Sequence, residues 1–409
     1  MPSGRGILVA AAGLGLWFAA RIAGSPTLHI VSVGLVMLPI AAAVFTRWTR
    51  HRLRVVRRLS DQRVAPGRRV TIDLEVENQG PTSTSFLLVE DRVPPALGRP
   101  ARLVMTGVLP HGRAHASYTL LGQTRGRYVL GPLSVDLSDP FALTKVRVEF
   151  DDRDEVIVTP EIEELAGGAD SPFGAASGLS LAKQLFRTGD EFYTMRPYQE
   201  GDDLRRIHWR SVARSGELMI RQEESTRRSR AVLFLDTRQA ALGTARSPGF
   251  ERAVSAAASI GKLLSQYGFA IRLGTASLPA SLVSEDGLLD TLAGVSHDGV
   301  KALSAALGRV RSSASPETTF VAITAPPPPE ELATLTRAGS VFGPKLAILI
   351  YPVDPPSLPP DRQAQLEGRA SSARLSLSRS GWDVLVLEPS ARLREVWQRN
   401  RMMLPVGSV

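Results

Sequence analysis

Two apolar stretches open this chain, and a dense run of arginines follows them directly. Ile7 to Ala20 is unbroken by any strongly polar residue, and Leu28 to Phe45 is interrupted only by His29 and Ser32. A helix that crosses a bilayer needs about 20 predominantly apolar residues. The second stretch approaches that length. The first reaches it if the helix runs past Arg21 to Gly24 with the arginine snorkelling to the interface. Gly24 and Pro26 mark a short turn between them. The pattern predicts a transmembrane hairpin within residues 1–46, with spans at about 6–24 and 28–45, followed by a basic flank over 47–58.

The charge distribution sets the expected orientation. Of 49 bases and 40 acids, residues 1–60 hold eight arginines (5, 21, 47, 50, 52, 54, 57 and 58) and no acid. The rest of the chain carries 41 bases against 40 acids, so the net charge of +9 is almost wholly local to the apolar stretches. A folded nucleic-acid-binding domain carries basic charge on its own surface, and nucleic acid is not expected as a partner. Basic residues beside membrane spans stay on the cytoplasmic side and favour anionic headgroups. The expectation is a multi-pass protein of the inner or plasma membrane, with both termini and all soluble domains in the cytoplasm. A cleaved signal peptide at the first stretch is one alternative; it would leave the basic flank outside, against the charge rule. Buried helices of a soluble core are the other, which the basic flank disfavours further. With no cysteine in the chain, disulfides, thiolate catalysis and cysteine zinc sites are excluded.

Residues 61–158 read as an all-β sandwich domain. Val70 to Glu77 alternates apolar and polar residues, and Asn78-Gln-Gly-Pro81 is a turn. Further strands are expected at 85–90, 116–121, 128–130 and 133–137. His111 and His115 flank Gly112 between strands and read as solvated loop residues rather than metal ligands. Residues 159–230 form a linker and a charged segment. Residues 231–401 alternate short apolar strands (231–235, 270–273, 319–323, 346–350, 384–387) with segments of helical spacing, which implies a doubly wound, mostly parallel α/β sheet. Ligands of such sheets bind outside the carboxyl ends of the strands.

The most distinctive stretch runs from Arg196 to Leu218: Arg-Pro-Tyr-Gln-Glu-Gly-Asp-Asp-Leu-Arg-Arg-Ile-His-Trp-Arg-Ser-Val-Ala-Arg-Ser-Gly-Glu-Leu. It resembles the signature of the domain of unknown function 58 family: Arg-x-Tyr-x-x-Gly-Asp, then Arg-x-Ile-x-Trp, then Ala-Arg and a leucine. Arg125-Gly-Arg-Tyr-Val-Leu-Gly-Pro132 and Asp139-Pro-Phe-Ala-Leu143 are similar to the end of that family's β domain. The resemblance implies a multi-domain architecture of membrane hairpin, β domain and C-terminal von Willebrand factor A-like domain. It also implies association with a MoxR-type AAA+ ATPase.

Arg196, Tyr198, Gly201, Asp202, Arg205, Trp209 and Arg214 are the candidate docking residues of that signature. Their arginine forks suit carboxylate or phosphate. The alternative is a buried salt-bridge knot, with Tyr198 and Trp209 packed beneath, that pins the segment to the wound domain. Von Willebrand factor A-like domains often bind Mg²⁺ through an Asp-x-Ser-x-Ser motif after the first strand. Here Asp236 is followed by Arg238 and Ala240 at the serine positions, and Thr324-Ala325 supplies no aspartate after a later strand. No cofactor or metal is expected. Arg238 is expected to stand as a cation where the metal would be and to pair with Asp236.

The chain has no Gly-x-x-x-x-Gly-Lys-Ser/Thr loop and no Gly-x-Ser-x-Gly elbow. The expectation is therefore not an enzyme but a membrane-anchored protein-binding or scaffolding protein acting with a MoxR-type ATPase. A hydrolase-like enzyme using the Arg196–Arg214 cluster is one alternative; nucleic-acid or anion binding is the other. The ten bases and eight acids of residues 184–230 argue against a continuous basic face.

Overall fold

The computed structural model describes residues 3–49, 52–84, 86–138, 141–165, 193–198, 207, 209–223 and 229–402. The chain divides into two compact units, residues 1–159 and 160–409.

The first unit opens with two helices, α1 (Gly4–Ala23) and α2 (Pro26–Thr49), packed on each other. Both are long and apolar enough to cross a membrane. Ser3 caps α1, its Oγ accepting from the Gly6 amide at 3.1 Å. Gly24 ends the helix in the left-handed conformation, φ 61°, that glycine adopts without a Cβ penalty. Gly13 lies so close to α2 that a Cβ there would come within 2.8 Å of Val36, a close approach between helices that only a small residue allows.

Ten strands follow: β1 (Leu53–Leu59), β2 (Arg63–Val64), β3 (Arg69–Asn78), β4 (Leu87–Asp91), β5 (Ala101–Met105), β6 (Arg113–Leu121), β7 (Gly126–Leu130), β8 (Leu133–Ser138), β9 (Lys145–Phe150) and β10 (Asp154–Val158). They form three sheets, ordered β1-β3-β6, β2-β10-β7 and β5-β4-β8-β9, antiparallel except for the β2–β10 pair. All three contribute to one apolar core, which includes Val55, Ile72, Leu74, Val89, Leu130, Val135 and Val156.

The first strand corrects the reading of 47–58 as a basic flank lying on headgroups. Residues 53–58 belong to β1, where Leu53 and Val55 face the core between their charged neighbours. Arg57 is buried. Its Nε and Nη2 donate to Asp91 at 2.9 and 2.7 Å, and its Nη1 donates to Asp154 at 2.8 Å. Tyr118 donates to the same Asp91 carboxylate at 2.6 Å.

In the second unit, residues 160–165 lie along a long helix. Glu163 receives Arg252 at 2.8 Å, and its amide donates to Ser259 at 2.9 Å. Strand β11 (Tyr193–Pro197) pairs with β12 (Met219–Glu223), and α3 (Trp209–Ser215) lies between them in sequence. The remaining elements run β13 (Arg230–Leu235), α4 (Gln239–Leu242), α5 (Pro248–Gln266), β14 (Ala270–Thr275), β15 (Ser281–Val283), α6 (Glu285–Gly294), α7 (Leu303–Gly308), β16 (Thr318–Thr324), α8 (Pro329–Gly339), β17 (Lys345–Ile350), α9 (Pro360–Arg379), β18 (Asp383–Leu387) and α10 (Leu393–Met402).

The sheet order is β15-β14-β13-β16-β17-β18, parallel except for the short edge strand β15. The central strands β13, β16 and β17 are apolar on both faces, as parallel strands covered by helices must be. Leu233, Ile323, Ile348 and Leu385 face α5, α6 and α10. Phe234, Phe320, Leu349 and Val384 face α7, α8 and α9. The order reverses direction at β13: the chain first steps outward to β14 and β15, then returns to place β16 on the other side. The carboxyl ends of β13 and β16 therefore flank the position where open α/β sheets place ligands.

Candidate functional site

Asp236 follows β13 at that position and is fully buried. Its backbone amide still donates to Ile323 of β16 at 2.9 Å, so the carboxylate is held at the sheet's edge. Two residues on, Arg238 is only 2% exposed and turns its side chain back over Asp236. The guanidinium Nε donates to Asp236 Oδ1 at 2.9 Å, and Nη2 donates to Oδ2 at 2.9 Å. On its other side it meets Glu331, in the first turn of α8, with Nη1 to Oε1 at 2.5 Å and Nη2 to Oε2 at 3.0 Å. A fifth bond runs from Nη1 to the Lys301 carbonyl at 3.1 Å. A guanidinium has five N–H donors, and all five are used.

The Asp236 carboxylate is equally saturated. Beyond the two guanidinium bonds, Oδ1 accepts from the Arg238 amide at 3.2 Å and Oδ2 from Thr324 Oγ1 at 2.6 Å. Thr324 ends β16, so this last bond spans the point where the strand order reverses. Burial pulls the Arg238 pKa down, but the bonds and charges of Glu331 and Asp236 outweigh it and leave the pKa raised above its ordinary value. The cation is therefore fixed. Beside it, Thr237 Oγ1 donates to Asp298 Oδ2 at 2.5 Å and accepts from the Ala276 amide at 3.2 Å. Asp298 Oδ1 accepts from Val300 N at 3.1 Å.

The pairing of Asp236 with Arg238 expected from sequence is thus present. Glu331, Thr324, Lys301 and Asp298 were not foreseen, since they join the cluster from 61 to 93 residues away. A usable signal existed for Glu331, because Pro329-Glu-Glu places acids in a first helical turn just beyond a strand's carboxyl end.

The signature segment is placed only in part. Gly201, Asp202 and Arg205 lie outside the described residues. Arg196 is in β11, opposite Ile220 of β12, and the Tyr198 amide donates to the Leu218 carbonyl at 2.8 Å. Arg214 is exposed in the last turn of α3. Trp209 is 68% exposed, which corrects the expectation that it packs beneath a salt-bridge knot. Tyr198 is half-buried and Ile207 buried.

Two apolar helices, a β-rich region and a helix-flanked parallel sheet with an occupied switch point define the class of this chain. Residues 194–278 match the family described as "Protein of unknown function DUF58", and in that segment the chain is similar to the domain of unknown function 58 family. No curated protein matches. Among solved structures, the CARDB domain of the PF1109 protein from Pyrococcus furiosus is 15% identical, with 26% of this chain and 86% of that one covered at a TM-score of 0.20. A β-glucosidase from Listeria innocua is 12% identical, with 26% and 16% covered at a TM-score of 0.18. Likenesses at these scores carry no argument about fold or activity.

Proposed function

We propose that this chain is a membrane-anchored, non-catalytic protein-binding or scaffolding protein. In this reading α1 and α2 are a two-pass anchor, residues 53–158 form a β-sandwich spacer, and the C-terminal unit is a von Willebrand factor A-like domain facing the cytoplasm. The observation that carries the proposal is the closed state of the Asp236–Arg238–Glu331 cluster. It occupies the place where an open α/β sheet would receive a ligand, yet none of its donors or carboxylate lone pairs on Asp236 is left for one. A divalent cation does not fit there: hard cations need several free oxygen ligands, and the guanidinium already lies between the two carboxylates. Within the Asp236–Arg238–Glu331 cluster, the pairing of Arg238 with both acids leaves Asp236 unsuited to act as a general base. What remains is a rigid, metal-independent surface suited to a protein partner. The family resemblance suggests a MoxR-type AAA+ ATPase as that partner.

The test is a pull-down with the full chain in detergent, since a bait starting at residue 60 would lack β1. Wild type, Trp209→Ala and Arg214→Ala are compared for retention of the MoxR-type ATPase with EDTA or with Mg²⁺. Both substitutions are at exposed positions, so the fold should persist. Retention by wild type in EDTA, reduced by either substitution, supports a metal-independent docking surface. Absence of retention under every condition, or substrate turnover by the purified chain alone, overturns the reading.

A further inference from the structure

The β-rich region presents an apolar rim at the end from which the two helices leave. Strand β4 begins there with Leu87, paired to Met105 of β5 on one side and Leu137 of β8 on the other. The residue before it, Phe86, is 66% exposed. Beyond Met105 the chain turns through Leu109, 69% exposed, and beyond β8 it turns through Phe141, 65% exposed. Three large apolar side chains from three separate loops thus share one edge of the sheet.

These loops are built rather than loose. Buried Asn78 donates through Nδ2 to the carbonyls of Thr82, Val108 and Leu109 at 2.7, 3.1 and 3.2 Å. Thr84 and Val108 exchange two further bonds, at 2.9 and 2.8 Å. Exposing leucine and phenylalanine on such a braced loop costs hydration free energy that an apolar surrounding would recover.

The same edge is tied to the helices. Ser3, the cap of α1, donates through Oγ to the Ala142 carbonyl at 2.6 Å and through its amide to Leu143 at 2.8 Å. Gly6 rests so closely on the loop that a Cβ would meet the Leu143 carbonyl. On the other side, the Arg52 carbonyl, three residues beyond α2, accepts from the Gln79 amide at 2.7 Å. Residues 79–86 and 105–112 contain no acid, and the third loop carries a single one, Asp139.

We propose that this rim enters the headgroup layer of the bilayer that α1 and α2 cross, with Phe86, Leu109 and Phe141 as interfacial wedges. The proposal rests on the membrane-anchor reading. It seats the β-rich spacer on the membrane surface.

The chain has no cysteine, so single sites can be labelled with an environment-sensitive fluorophore. Phe86→Cys, Leu109→Cys, Val33→Cys in α2 and Gln123→Cys are each reconstituted as full chains in phosphatidylcholine–phosphatidylglycerol vesicles. The β3–β6 ladder runs from Glu77–Arg113 to Arg69–Leu121, which puts Gln123 about 25–30 Å from the rim. Lipids brominated near the glycerol end of the acyl chain should quench the Phe86 and Leu109 labels and spare Gln123. Lipids brominated near the chain end should quench Val33. Rim labels no more quenched than Gln123, with Val33 quenched, overturn the rim and leave the anchor standing. An unquenched Val33 overturns both.

Discussion

At the scale of single residues, the chain places arginine where its neighbourhood requires a cation. Breaking a buried ion pair by removing one partner costs about 3–5 kcal/mol, because it strands the other charge. Arg238→Ala leaves Asp236 fully buried opposite Glu331, and a loss of that size is expected in urea unfolding followed by tryptophan emission, since Trp382 and Trp397 are both buried in this unit. The substitution also opens a gap between two carboxylates and the Thr324 hydroxyl. Mg²⁺ or Mn²⁺ should therefore raise the variant's unfolding midpoint and leave wild type unchanged. A variant as stable as wild type, or equally indifferent to divalent ions, would show that the cluster is not the electrostatic keystone argued here. Tyr118 gives a pH prediction of opposite character. Burial first, and then its bond to Asp91, push the phenol pKa well above its ordinary value. A pKa raised in the folded state adds stability that is complete below the unfolded value of about 10 and is lost as pH climbs past it. Wild type should lose stability steeply above about pH 10, and Tyr118→Phe should flatten that part of the pH profile. Equal slopes for the two proteins would refute the assignment.

At the scale of elements, legibility in the sequence followed burial. The strands at 230–235, 318–324, 345–350 and 383–387 stand out because parallel strands covered on both faces are almost continuously apolar. Strand β1 did not, because four of its neighbours or members are arginines and charge masked the alternation of Leu53 and Val55. Strands β5 and β9 show the same weakness, and β15 is a three-residue edge. The Asp236–Arg238 pair could be read because its members are two residues apart; for Glu331 the sequence marks an acid in a first helical turn, but only the tertiary fold brings α8 to β13. Helix α8 itself depends on a contact invisible in sequence. Gly339 lies against Trp382, and a Cβ there would fall 2.1 Å from the indole ring. Alanine in place of glycine favours a helix by about 1 kcal/mol, whereas overpacking a core costs about 1–3 kcal/mol. The second effect should win. Gly339→Ala is expected to be net destabilising and to shift α8, loosening the Glu331 contact with Arg238. A stabilised Gly339→Ala protein would place Trp382 elsewhere.

At the scale of the whole molecule, the eight arginines of the first 60 residues do different jobs, and Arg58 pairs with Glu75 within the β-rich region. Arg57 is consumed inside the β-rich region by Asp91 and Asp154, where burial pulls its pKa down and the two carboxylates raise it further than burial lowers it. It cannot contribute to a membrane-surface charge. Arg5, Arg47, Arg50, Arg52 and Arg54 remain on the terminal side of the two helices, and Arg21 lies near the turn that joins them. Five arginines against one is still a strong bias under the positive-inside rule, which counts residues close to the span ends. The turn around Gly24 should therefore face outward and the β-rich region inward. In right-side-out vesicles a membrane-impermeant maleimide should label Thr27→Cys and spare Gln123→Cys, and inside-out vesicles should give the reverse. Labelling of Gln123→Cys from outside would invert the topology. It would then place the C-terminal unit where a cytoplasmic ATPase cannot reach it, so the orientation measurement decides between partner classes before any partner is sought.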